Sequence, residues 1–94
     1  MATEVWKFTL PESPGRHVIQ SQFKLSEPKF LLTAQVQNGV PVLWALCDRS
    51  APTSEIVIDM VMTGQETKHE LGEYIGTVQL EYGKFVLHVF RVLL

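Results

Sequence analysis

The dipeptide Asn38-Gly39, set between two β-rich runs in QVQNGVPVLWALCD, constrains this chain more than any other pair of residues. Both residue types tolerate positive φ, which a type I′ hairpin turn requires at its two central positions. The sequence therefore predicts a hairpin of Phe30–Gln37 with Val40–Cys47. The arms differ in character. In the first, Phe30, Leu32, Ala34 and Val36 share one face, and Thr33, Gln35 and Gln37 share the other with Leu31. In the second, Val42, Trp44 and Leu46 lie on one side and Leu43, Ala45 and Cys47 on the other, so both faces are apolar. Pro41 sits at the start of that arm, where a missing ladder donor is tolerated.

Other segments repeat the alternation expected of strands. They are Val5–Leu10, a weaker run Arg16–Phe23, Ile56–Thr63, Tyr74–Glu81 and Phe85–Leu93. In the third of these, Ile56, Ile58, Met60 and Met62 face in, and Asp59 and Thr63 face out with Val57 and Val61. Turn-forming residues separate the runs: PESPG, LSEPK, DRSAPTSE, the polar GQETKHELGE, and Tyr82-Gly83-Lys84. No long segment has the spacing of an amphipathic helix. The expectation is an all-β domain of about seven short antiparallel strands in a small barrel or sandwich, with no long helix.

Ninety-four residues at 46% hydrophobic and 19% charged suit one folded domain with a modest core. The net charge is −2 and the basic residues are scattered, which argues against binding duplex nucleic acid through many phosphates. A local pocket for one small anion is compatible with that charge. A single cysteine, Cys47, excludes an intrachain disulfide and fits a reducing compartment. The start, MATEVWKF, lacks the pattern of a signal peptide, and Val40–Cys47 is far too short to span a bilayer.

Two runs have no polar face. Besides Val40–Cys47, the last strand carries Phe85, Leu87, Val89 and Leu93 on one side and Val86, His88, Phe90 and Val92 on the other. Soluble monomers avoid large exposed apolar patches. Three covers are open: other segments of the same chain, a second copy, or a ligand or foreign protein. The second and third are compatible, because pockets often form at subunit junctions. Leu43, Ala45, Cys47, Val86 and Phe90 are the interface candidates.

Few residues point to chemistry. His88 is a pocket donor, a proton shuttle, or a semi-buried histidine bonded to a neighbour. Cys47 fits a small apolar core residue, since a nucleophile there needs a base. Glu66, Glu70 and Glu73 read as a solvated rim. Thr63-Gly64 offers backbone amides to an anion, Arg49 a guanidinium, and Trp44 a stacking surface. Trp44, Arg49, Thr63, Gly64 and His88 are thus the candidate ligand contacts. No spacing marks a metal site, a cofactor or a catalytic pair.

These blocks together resemble a family of small uncharacterised proteins from tailed phages and prophages. Its VQ-x-G-x-P-x-LWAL-x-D block matches Val36, Gln37, Gly39, Pro41, Leu43–Leu46 and Asp48. Its GTG, Y-x-GT-x-Q and FH-x-F elements match Thr63-Gly64, Tyr74, Gly76-Thr77, Gln79 and His88–Phe90. Met62 replaces the first glycine of GTG, and Leu87 replaces the aromatic before His88. The resemblance implies a phage accessory protein in the bacterial host cytoplasm that counters host immunity. The expected function is a non-enzymatic binding protein, a homo-oligomer that sequesters a small anionic, nucleotide-type ligand at a subunit junction. The alternatives are an inhibitor docking on a host defence protein and a small enzyme using His88.

Overall fold

The computed structural model describes residues 3–21, 24–25, 31–48 and 54–93, which form strands and the turns between them. The elements are β1 (Thr3–Thr9), β2 (Gly15–Ser21), a two-residue β3 (Lys24–Leu25), β4 (Leu31–Gln37), β5 (Val40–Asp48), β6 (Ser54–Met62), β7 (Glu73–Leu80) and β8 (Phe85–Arg91). Every pairing among the described residues is antiparallel. In the first sheet β5 is central, with β1 along one edge and β4 and β3 along the other. The second sheet runs β2-β6-β8-β7. The two sheets stay open and pack face to face, so the all-β expectation holds in its sandwich form.

Local chemistry explains the tight connections. Asn38 and Gly39 adopt φ of 52° and 77°, the double positive value of the type I′ turn joining β4 to β5. Between β7 and β8 the turn is wider than Tyr82-Gly83-Lys84, because β7 ends at Leu80. Glu81, Tyr82 and Gly83 all take positive φ there, and the Gly83 amide donates to the Leu80 carbonyl at 3.1 Å.

The core lies between the sheets. Leu43, Ala45 and Cys47 of β5 have no exposed surface and join Ile58, Met60, Leu87 and Val89 in one cluster. This corrects the expectation that Leu43, Ala45 and Cys47 meet another chain. Their cover is the second sheet, with Trp6 and Phe8 of β1 standing opposite Ala45 and Leu43 in register. The other β5 face becomes the outside of the first sheet, where Trp44 and Leu46 are half-buried and Val42 is nonetheless buried. In β8, Leu87 and Val89 are buried while Val86, His88 and Phe90 are half-buried on the outside of the second sheet.

Among the described residues, two bulges alter the simple alternation. In β4, Leu31 stands opposite Ala45 and Thr33 opposite Trp44, so Leu32 is an extra residue between them. Leu31 and Ala34 therefore enter the core, and Leu32 is 44% exposed, against the expectation that Leu32 and Ala34 share a face. Phe30 lies outside the described residues. In β7, Tyr74 stands opposite Phe90 and Gly76 opposite Val89, which makes Ile75 the extra residue, and it is buried. Met62 departs from the inward-facing expectation: it lies at the end of β6, beyond the cover of the first sheet, and is 40% exposed.

The strands carrying the bulges bring the sheets together. A Cβ on Gly76 would sit 2.7 Å from the Ala34 carbonyl oxygen and 3.0 Å from its nitrogen. Both are backbone atoms with little freedom to yield, so only glycine fits. Gly76→Ala is expected to lower the urea midpoint clearly, and Leu43→Ala to cost about 2–5 kcal/mol as a truncation in a closed core. The exposed Gln35→Ala should stay within about 0.5 kcal/mol. A Gly76→Ala midpoint equal to that of Gln35→Ala would show that the sheets can separate at this point without cost.

Candidate functional site

The outer face of the second sheet carries a connected set of polar side chains. Antiparallel register places Val61, His88 and Thr77 side by side across β6, β8 and β7, with Asp59, Phe90 and Tyr74 forming the next row. Thr63 Oγ1 shares a 2.8 Å hydrogen bond with His88 Nε2, and Thr77 Oγ1 a 3.0 Å bond with His88 Nδ1. Tyr74 Oη lies 2.6 Å from Thr77 Oγ1, and the Tyr74 ring meets the Phe90 ring edge-on at 5.6 Å. A neutral imidazole has one donor and one acceptor nitrogen, so one threonine donates to it and the other accepts. Both nitrogens are engaged, which locks the ring in place and ties Thr63 to β8.

Thr63 opens the connection that folds back over β6. Gly64 takes φ of 81°, the Gln65 amide donates to the Met62 carbonyl at 3.0 Å, and Gln65 Oε1 accepts from the Met62 amide at 2.9 Å. The turn sends residues 65–71 across the sheet. Of these, Gln65 to His69 and Leu71 line an open cleft of about 190 Å³ together with Gly15, Arg16, Asp59, Met60 and Val61.

Arg16 and Asp59 meet at its floor. They stand opposite one another in the β2–β6 ladder. Arg16 Nε donates to Oδ1 at 2.9 Å and Nη2 to Oδ2 at 3.0 Å, the fork geometry of the strongest ion pairs. The carboxylate side chain is 7% exposed and the guanidinium 39%. The hydrogen bonds from Arg16 hold the Asp59 carboxyl below its ordinary range and outweigh burial, which pushes the other way; His69 and His17 add to the lowering. Asp59 faces outward as its strand position predicts, yet the overlying segment buries it.

The structure brings Thr63, Gly64 and His88 together, with Val86 and Phe90 on the same face. It separates Trp44 from them. That indole lies on the outside of the other sheet, 6.0 Å from the Lys7 ammonium, which also donates to Gln37 Oε1 at 2.7 Å. Arg49 lies outside the described residues. Cys47 is sealed in the core, where burial pushes its thiol up against the lowering effect of a Ser21 hydrogen bond. Sequence reading misses Arg16 and gives Asp59, Thr77 and Tyr74 no role. The one available signal is a lone carboxylate inside the apolar run IVIDMVM. Its partner is 43 residues away, so no local spacing could join them.

A family model described as a domain of unknown function (DUF7352) matches residues 1–93, and the chain belongs to that family. No curated protein and no solved structure matches it. Among the described residues, no helix is long and apolar enough to cross a membrane.

The depressed Asp59 carboxyl has a signed consequence. Its stabilising charge is fully present above the unfolded-state value, near pH 4. That contribution is lost as the pH falls through the lower folded-state value. Solvent screening at the partly exposed Arg16 keeps the effect modest. The urea midpoint of the native chain is expected to fall in this acid window. Asp59→Asn should lower the midpoint at neutral pH and flatten the acid fall. Parallel midpoint-against-pH curves for the two proteins would remove Asp59 as a source of acid sensitivity.

Proposed function

We propose that this family member is a non-enzymatic binding protein that works through the outer face of its second sheet. Its cargo is a small anionic ligand of nucleotide type, held where two copies meet. The observation that carries this reading is the continuity of one surface. Val57, Val61, Val86 and Phe90 are half-buried there, and Val18 and Tyr74 are 55% and 56% exposed. The same face holds the His88 chain and the cleft under residues 65–71.

Size supports a junction. The cleft, at about 190 Å³, is smaller than typical small-molecule sites of roughly 300–1,000 Å³. A nucleotide therefore needs further walls, and a second copy seated on Val86 and Phe90 supplies them while covering apolar surface. The engagement of both His88 nitrogens supports a positioning role for the ring over that of a free base, and so binding over turnover. In this reading the protein is phage-encoded, acts in the bacterial host cytoplasm and removes a nucleotide signal of host immunity. The resemblance of its motifs to small phage proteins supports that setting.

Light scattering of the purified chain is expected to give a dimer or larger species, and Phe90→Asp a folded monomer. Calorimetric titration with cyclic and ADP-ribose-type nucleotides should detect binding to the native chain and at least a ten-fold loss in the Phe90→Asp protein. A native monomer at high concentration would eliminate the junction. Silence across the nucleotide panel would eliminate the cargo.

A further inference from the structure

The geometry points to the cleft beneath residues 65–71 as an anion site for a phosphoryl group, with Arg16 as its fork and Lys68 as its second cation. The inference rests on the binding reading above and deepens it by naming the group that enters and the residues that receive it.

Arg16 is prepared for the task. Asp59 occupies Nε–H and one Nη2–H and fixes the plane of the guanidinium, which leaves both Nη1 donors and the second Nη2 donor, the end-on fork, for a ligand. The carboxylate is buried and the guanidinium is the accessible member of the pair, so an entering group meets the cation first. A fixed, planar fork suits the paired oxygens of a phosphoryl group. The overlying segment contributes Lys68 and His69, both exposed and both lining the cleft. Neither makes a side-chain hydrogen bond or ion pair among the described residues. Thr67 and Gln65 add neutral polar groups to the same wall.

Two carboxylates also line the cleft, Asp59 and Glu66. Asp59 is compensated by its bidentate partner. Glu66 is exposed and uncompensated, so it opposes an anion and weakens the site. The cleft volume corresponds to about six waters at roughly 30 Å³ each. That is room for a phosphoryl group and the first atoms attached to it, and the remainder of a larger ligand projects out along the sheet toward Phe90 and His88.

The test is amide NMR of the full chain, titrated with inorganic phosphate and separately with phenyl phosphate. The expected result is saturable shifts at the amides of residues 65–71 and at Arg16 Nε–H. Lys68→Ala should weaken binding about five-fold, the upper end for an exposed charge pair, and Glu66→Gln should tighten it by a similar factor. Both positions are exposed, so both variants should keep the native unfolding midpoint, whereas Arg16→Ala risks the fold. Tighter binding of phenyl phosphate supports an ester as the ligand, and equal binding supports free phosphate. The absence of shifts with both probes overturns the site, and so do affinities that ignore Lys68→Ala and Glu66→Gln or change in the reverse sense. Phosphate bound in the cleft with no nucleotide bound anywhere keeps this site and removes the nucleotide cargo. A nucleotide that shifts only Val86, His88 and Phe90 keeps the cargo and overturns this site.

Discussion

The backbone of Gly76 in β7 lies against the backbone of Ala34 in β4, too close for any side chain between them. That contact sets how the two sheets meet. Each of the two strands carries a bulge beside it, at Ile75 and at Leu32. A bulge adds one residue to one strand and changes which face the following residues occupy. Ile75 thereby reaches the core from a position next to outward-facing Tyr74, and Leu31 and Ala34 both reach it with Leu32 set aside. Once the sheets are locked there, Leu43, Ala45 and Cys47 find their cover in Ile58, Met60, Leu87 and Val89. The chain then needs no partner to bury the inner side of β5.

Closing the core in this way defines the remaining surfaces. Both apolar strands have one face inside and one outside, and the two outsides point in opposite directions. The outside of β5 holds Trp44 under the Lys7 ammonium. The outside of β8 holds His88 between two threonine hydroxyls, beside the aromatic pair Tyr74 and Phe90. The second of these is next to a cleft, because the segment after β6 turns at Gly64 and crosses its own strand. The Arg16–Asp59 pair is formed at that crossing. Its value is geometric before it is energetic, since a paired charge held out of water contributes little net stability but fixes the orientation of both partners. Here it holds a guanidinium at a set position in the wall of a polar cleft.

Much of the architecture is legible in the amino-acid sequence. Alternation of period two, turn residues at Asn38-Gly39 and around Gly83, and the absence of helical spacing point to an all-β barrel or sandwich with its strands near their observed positions. Such signals are local, and each depends on a few adjacent residues. The bulges are not legible, because an inserted residue leaves no mark in a run as uniformly β-prone as FLLTAQVQ. Nor is the Arg16–Asp59 pair, whose members belong to strands joined only by the sheet. Thr63, Gly64 and His88 stand out in different segments, and they do converge; Trp44 stands out with them and does not.

By itself, then, the sequence determined that this chain forms short antiparallel strands, where the hairpin between β4 and β5 turns, and that β5 and β8 carry apolar residues on both sides. The tertiary structure decided which of those sides is core, which strand residues are bulged, and which charges meet. The physical reason is range. Turn conformation and strand periodicity are set by the φ preferences and side-chain direction of neighbouring residues. The choice between two equally apolar faces is set by the second sheet that arrives to cover one of them, and that sheet is held in place by a glycine far along the chain.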